Sequence, residues 1–113
     1  MVLHANYQQL QIDDVLLDTG AAASIFRTDD LFAIGIIPTQ TDRIRFMAGV
    51  GGRESVIEKQ IEKIEIANLV ISPMTIQLGA MDYGLQINGI VGMDFLLAAG
   101  ATIDLHRLTI NDR

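Results

Sequence analysis

The residues with the clearest chemical potential form one short segment, Leu16-Leu17-Asp18-Thr19-Gly20-Ala21. Asp18 ends a wholly apolar run, where burial of a carboxylate costs several kcal/mol unless the group is paired or protonated. Thr19 and Gly20 then place a hydroxyl and an unobstructed backbone N–H beside it. This combination suits a carboxylate that is held by hydrogen bonds where water or a substrate can approach. The ordinary alternative is a strand that ends in an Asx-type turn, for which Asp, Thr and Gly are common residues.

A second distinctive segment is rich in glycine, Met47-Ala48-Gly49-Val50-Gly51-Gly52, and predicts a turn or a flexible tip. A phosphate-binding loop is a competing interpretation. However, the dinucleotide pattern needs a third glycine where Glu54 stands, and the phosphate-loop pattern needs a Gly-Lys-Ser/Thr that the chain lacks. A flexible tip fits the segment better. A plain exposed β-turn is the ordinary alternative.

The elements that must position these segments are mostly strands. Short apolar runs separated by Gly, Asn, Asp and Pro recur along the chain, which is typical of an all-β protein. Residues 43–48 alternate in the manner of a half-buried strand. Further strands are predicted at residues 15–17, 69–71, 75–78, 90–91, 102–105 and 108–110.

Two short helices are predicted, over residues 29–34 and 94–99, each with an Asp at its start and a Gly after its end. Residues 54–67 are ambiguous. Ile57, Ile61 and Ile64 have helical spacing, whereas Ile64 and Ile66 alternate with Glu65. The glycine-rich tip that directly precedes this segment also speaks for a strand, and the local pattern leaves both interpretations open.

Composition excludes several classes of protein. The chain has 113 residues, 50% of them hydrophobic, which suits one globular domain over residues 1–113. The lack of cysteine excludes disulfides, thiolate metal sites and a thiol nucleophile. A net charge of −6 disfavours nucleic-acid binding. Apolar runs are far shorter than the roughly 20 residues that span a bilayer, and no secretory signal is recognisable, so we expect a cytoplasmic location.

Other candidate chemistry is weak. His4 and His106 lie at opposite ends of the chain, and no metal site is predicted. Asp104 and His106 could share one strand face as metal ligands, but exposed polar residues near a turn are the simpler interpretation. Ser24 and the other serines lack a Gly-x-Ser-x-Gly setting, which disfavours a serine hydrolase.

In four segments, taken in order, the chain resembles the retropepsin-like aspartic proteases, the single-domain family of the retroviral proteases and their bacterial relatives. Residues 16–21 resemble the catalytic motif, and residues 47–52 resemble the tip of the flap. Ile90-Val91-Gly92-Met93-Asp94-Phe95-Leu96 resembles the hydrophobic–hydrophobic–Gly element with its short helix, and residues 100–105 resemble the C-terminal strand. The resemblance implies an all-β, retropepsin-like closed barrel with a flap hairpin and one or two short helices. It also places residues 54–67 in the returning arm of the flap.

The resemblance implies an aspartic endopeptidase that needs no metal or organic cofactor and acts on a peptide or protein. Aspartic proteases use two carboxylates about 3 Å apart that share one proton. The chain has a single Asp-Thr-Gly, so the mechanism requires a homodimer in which Asp18 meets its mate on the two-fold axis. The implied site residues are catalytic Asp18; loop residues Thr19, Gly20 and Ala21; flap residues Gly49, Val50, Gly51 and Gly52; and, beneath the site, Ile90, Val91, Gly92 and Asp94.

Two departures from the family concern the dimer. Retroviral members carry an Asp directly after the Asp-Thr-Gly-Ala and an Arg after the hydrophobic–hydrophobic–Gly, and the two form an ion pair near the interface. This chain has Ala22 and Met93 instead. We expect the dimer sheet to be built largely from C-terminal hairpins, residues 102–110 of each chain. We expect Asp94 to be a structural hydrogen-bonding residue. The alternative to an enzyme is a catalytically inactive retropepsin-like dimerisation or peptide-binding module.

Overall fold

The computed structural model describes residues 1–49 and 52–112. These residues confirm the all-β prediction, since strands far outnumber helices. The strands are β1 Val2–Ala5, β2 Gln8–Gln11, β3 Val15–Leu17, β4 Ile25–Arg27, β5 Arg43–Gly49, β6 Gly52–Ile61, β7 Lys63–Ile66, β8 Leu69–Ile71, β9 Met74–Gly79, β10 Gly89–Val91, β11 Thr102–Asp104 and β12 Thr109–Asn111. The helical segments are α1 Thr28–Leu31, a 3-10 turn at Phe32–Ile34, and α2 Met93–Ala99.

The strands pair into three sheets. A six-stranded sheet has the order β3-β10-β4-β9-β6-β5, a four-stranded sheet has the order β2-β1-β7-β8, and β11 pairs with β12 alone. The described residues therefore form open sheets rather than the predicted closed barrel. Among the described residues, β3 and β5 are the edges of the six-stranded sheet, and each has a single strand neighbour.

The ambiguous segment, residues 54–67, is strand, as predicted. It contributes to β6, which lies between β5 and β9, and to β7, which lies between β1 and β8. Pairing with these neighbouring strands supplies hydrogen bonds to the backbone on at least one side of β6 and β7, and this tertiary pairing outweighs the helical spacing of the isoleucines.

The main core lies between the two larger sheets and includes α2. Phe26 and Ile76 from the six-stranded sheet, Leu3 and Ile64 from the four-stranded sheet, and Phe95 of α2 are fully buried there. Side chains alternate along a strand, so neighbours of these residues point to the other face of the six-stranded sheet. On that face Ile25, Val56 and Met81 are buried together, with Ile87 and Ile90 packed against them. We call these five residues the small cluster.

Some local predictions are corrected by the structure. The hairpin of β1 and β2 was not predicted. Ile44 and Phe46 of β5 are 59% and 66% exposed, so this strand is not half-buried. Helix α1 has Arg27 at its N-cap position with no side-chain cap, rather than an Asp cap. In the described part of the chain, no helix is long and apolar enough to cross a membrane.

Candidate active site

Asp18 lies where β3 ends against β10. The two strands are parallel, with Leu17 opposite Val91, and the Asp18 N–H continues the ladder by donating to the Val91 carbonyl oxygen at 2.9 Å. The Asp18 Oδ1 accepts the Gly20 N–H at 2.8 Å, and the Ala21 N–H donates to the Asp18 carbonyl oxygen at 3.1 Å. These bonds define a tight loop, residues 18–21, that holds the carboxylate in one orientation.

The bond from Gly20 to Asp18 is that of an Asx-type turn, so the ordinary alternative describes the local shape correctly. It occupies only one carboxylate oxygen. Within residues 1–49 and 52–112, no hydrogen bond reaches the Asp18 Oδ2 or the hydroxyl of the exposed Thr19. Asp18 itself is only half-buried. The loop therefore presents an oxygen and a hydroxyl that can contact water, a substrate or a second chain.

Gly92 lies directly beneath this loop. A Cβ at this position would be 2.6 Å from the carbonyl oxygen of Ala21 and 2.9 Å from that of Ala23, which no side chain tolerates without backbone movement. The close approach lets the Met93 N–H donate to the Ala21 carbonyl oxygen at 2.8 Å. The structure thus brings the loop together with Val91 and Gly92.

Ser24 completes this support, a role that differs from the serine nucleophile for which its sequence setting was unsuited. It is fully buried. Its hydroxyl donates to the Asp94 Oδ1 at 2.7 Å and accepts the Gly92 N–H at 3.1 Å. Its backbone N–H donates to the Asp94 Oδ2 at 2.9 Å. One feature of the sequence could have indicated this role. Ser24 directly precedes the apolar pair Ile25-Phe26, and a hydroxyl that is buried beside such a pair needs hydrogen-bond partners.

Asp94 has no free oxygen for chemistry, because the Phe95 N–H also donates to its Oδ1, at 2.7 Å. The Asp94 carboxylate instead ties Ser24, which follows the loop of Asp18, to the first turn of α2. Among the described residues, no cluster of His, Asp and Glu could hold a metal ion.

The hairpin of β5 and β6 starts from the opposite edge of the six-stranded sheet to β3. Gly49 and Gly52 are paired at its end, and Val50 and Gly51 lie outside the described residues. Pairing of β6 with β9 begins only at Ile57. Residues 52–56 therefore project beyond β9 as a two-stranded ribbon with β5.

Two side chains near this hairpin, Tyr83 and Asp42, have shifted pKa values. Burial, together with the hydrogen bond and charge of Glu54, raises the pKa of Tyr83 to about 12. Near the start of β5, hydrogen bonds from Lys59 and from the Thr39 N–H hold the pKa of Asp42 below its ordinary value. The Lys59 Nζ lies 2.7 Å from the Asp42 Oδ1.

Comparison with protein-family models gives one match, over residues 5–95, to a family described as "Aspartyl protease". The matched region covers most of the chain and contains the loop of Asp18, the hairpin and the Ile90-Val91-Gly92 element. A search of curated proteins found no significant match.

Proposed function

Because this chain belongs to the aspartyl protease family, of the retropepsin-like type, we propose that it is an aspartic endopeptidase whose catalytic pair forms when Asp18 of two copies meets at a two-fold axis. The observation that carries the proposal is the contrast between two carboxylates. Asp18 keeps its Oδ2 without a partner in the described residues, whereas both oxygens of Asp94 are occupied. One chain thus offers half of a pair.

The chemistry follows from the two carboxylates sharing one proton, because like charges about 3 Å apart do not both ionise. The ionised carboxylate takes a proton from water as the water oxygen bonds to the peptide carbonyl carbon. The protonated one donates to the carbonyl oxygen. When the C–N bond breaks, the leaving amine takes a proton from one carboxyl group, and a hydroxyl of the tetrahedral intermediate returns its proton to the other, so the pair again shares one proton. The Gly20 N–H orients each Asp18 by holding its Oδ1, and the Thr19 hydroxyl is free to bond the partner's loop.

The dimer interface we propose is built largely from the hairpins of β11 and β12. In the described residues this two-stranded sheet pairs with neither larger sheet, and an isolated hairpin is marginally stable in water. Leu105 and Leu108, in its turn, are 80% and 85% exposed, and Leu97 of α2 is 72% exposed. Full burial of a leucine contributes about 1.5–3 kcal/mol. Burying three leucines from each subunit would therefore contribute a free energy comparable to the association cost of about 4–15 kcal/mol.

We assign substrate covering to the hairpin of β5 and β6. The ribbon that projects beyond β9 carries the glycine-rich tip, Gly49-Val50-Gly51-Gly52, and a covering ribbon of this kind excludes water from a bound peptide. Residues 1–113 then act as one protease domain.

The test is cleavage of a peptide library at mildly acidic pH, with sensitivity to pepstatin and with Asp18→Asn as the inactivating variant. Asp82→Asn, an exposed Asp elsewhere in the chain, is the matched control. We expect the control to cleave and Asp18→Asn to be inactive. Cleavage that survives Asp18→Asn overturns the assignment.

Sedimentation tests for the dimer, and the cleavage assay then decides between the proposal and its alternative. A strict monomer of 12.4 kDa at micromolar concentration has no catalytic pair and overturns the proposal. A dimer that binds peptides without cleaving them supports the inactive dimerisation or peptide-binding module. The cytoplasmic location stays a prediction.

A further inference from the structure

Glu54 connects the projecting ribbon to another part of the fold. Its carboxylate contacts the loop that joins β9 to β10, residues 80–88. The Tyr83 hydroxyl donates to the Glu54 Oε2 at 2.8 Å, and the Met81 N–H donates to the Oε1 at 3.4 Å. The contact depends on Gly79, since a Cβ there would lie 2.9 Å from the Glu54 Oε1.

The loop that receives Glu54 is itself fixed. Arg27 donates to the carbonyl oxygen of Ile87 at 2.8 Å and to that of Ala80 at 3.4 Å, so one guanidinium joins both ends of the loop. Met81 is 1% exposed and packs in the small cluster with Ile25 and Val56. Residues 80–88 therefore form a supported platform.

The platform also touches the elements that hold the catalytic loop. Ile25 of the small cluster directly follows Ser24, which binds Asp94. Ile90 of the same cluster directly precedes Val91, whose carbonyl oxygen accepts the Asp18 N–H. Glu54 thus links the hairpin, through packed side chains, to the framework of the site.

We propose that Glu54 and Tyr83 are positioning residues that fasten the β6 arm of the hairpin to residues 80–88 and so hold the hairpin at the distance from the catalytic loop at which a peptide binds. This inference rests on the proposed function. Residues 52–56 have strand pairing on the β5 side only, so the Glu54 contacts restrain the arm on its other side. Neither residue bonds to Asp18, so we expect the effect on peptide binding rather than on bond cleavage.

The kinetic test is Tyr83→Phe, which removes the hydroxyl and keeps the ring. A hydrogen bond to a carboxylate is strong enough for about a tenfold effect. We expect KM to rise about tenfold while kcat, per active site titrated with a tight-binding inhibitor, stays within about twofold. Tyr7→Phe is the control, because Tyr7 is fully exposed.

The carboxylate is tested in the same assay. Glu54→Ala removes both contacts and should raise KM at least as much as Tyr83→Phe, and the double variant should be no worse than Glu54→Ala. Glu54→Gln keeps an amide oxygen that accepts from Tyr83, so it should restore part of the affinity. Asp82→Ala removes a charge from the same loop and serves as control. KM values equal to those of the controls, or additive effects in the double variant, overturn the proposal.

A spectroscopic measurement tests the contact without any activity. The chain has two tyrosines, so in a Tyr7→Phe background the tyrosinate absorbance reports Tyr83 alone, with circular dichroism checking that the protein stays folded. We expect its pKa near 12, set first by burial and then by Glu54, and a fall towards 10 on Glu54→Ala. An unchanged pKa overturns the proposal. A fall in a protein that cleaves no peptide supports the fastening of the hairpin and overturns the proposed function instead.

Discussion

Replacing Ser24 by alanine removes one buried oxygen from the support of the loop of Asp18. The lost hydroxyl leaves the Gly92 N–H without its acceptor and takes one donor from Asp94. A hydrogen bond to a charged group contributes about 1.5–3 kcal/mol, and an unpaired buried donor costs about 1–3 kcal/mol. Asp94 keeps the N–H donors of Ser24 and Phe95, so we expect a loss of stability near the lower end of the two ranges added together. The free energy of unfolding should fall by about 3 kcal/mol, a large share of the typical 5–15 kcal/mol.

The assay is urea unfolding at neutral pH and at one fixed protein concentration, because the stability of a dimer depends on concentration. The midpoint should fall with an unchanged slope. Ser55→Ala, at an exposed serine of β6, is the control and should stay within about 0.5 kcal/mol of the parent. A loss below about 1 kcal/mol for Ser24→Ala would refute the reasoning that its hydroxyl carries two buried hydrogen bonds.

Three further predictions concern single sites. Gly92→Ala should lower the free energy of unfolding by at least about 2 kcal/mol, because its Cβ would meet a backbone oxygen at 2.6 Å. Asp42 has a lowered pKa in the folded state, so its pairing with Lys59 stabilises the fold above the ordinary pKa of 3.8, and that contribution is lost as the pH falls further. Lys59→Met should remove this part of the acid dependence of unfolding. Tyr83 has a raised pKa, so its contribution is complete below pH 10 and is lost as the pH rises through about 12. Tyr83→Phe should remove this part of the alkaline dependence.

Each of these has its own check. Gly84→Ala has open space but a positive φ of 73°, so it measures backbone strain without a clash and should cost less than Gly92→Ala. For the test at acid pH, Asp82→Asn is the control and should leave the pH dependence of unfolding unchanged. An acid profile of Lys59→Met that follows the parent would show that the ion pair contributes nothing. For the alkaline arm, a Tyr83→Phe profile that still falls between pH 10 and 12 as in the parent would contradict the assignment.

Much of the strand pattern was predictable from short-range information. The pattern of apolar and turn residues predicted β8, β9, β10 and β11 to within one or two residues. The second predicted helix, residues 94–99, matches α2, which begins one residue earlier, at Met93. The strand prediction for residues 54–67 depended on the neighbouring glycines and on the family resemblance, because local spacing favoured a helix. The adjacency of Asp18 to Val91 and Gly92 also came from the resemblance, and their roles in activity stay predictions.

The features that the sequence does not predict depend on contacts between distant residues. Ser24 matters because it meets Asp94, which is 70 positions away, and no local pattern reports that distance. Strand β2 is mostly glutamine and lacks an alternating apolar pattern, so its pairing with β1 left no periodic signal. The wholly apolar strand before Asp18 is also less buried in the single chain than its composition suggests. Leu16 and Leu17 are 41% and 38% exposed, since β3 is an edge strand.

The loop of Asp18 is supported by Val91 and by the hydrogen bonds that join Ser24, Gly92 and Asp94. A copy that carries Asp18→Asn should therefore keep its framework and still be able to associate with a normal copy. Under the proposed mechanism such hybrids are dead, and activity falls as the square of the normal fraction, to about a quarter in an equal mixture. In a cell that expresses both forms, the defective copy would therefore reduce the activity by more than the loss of one copy alone.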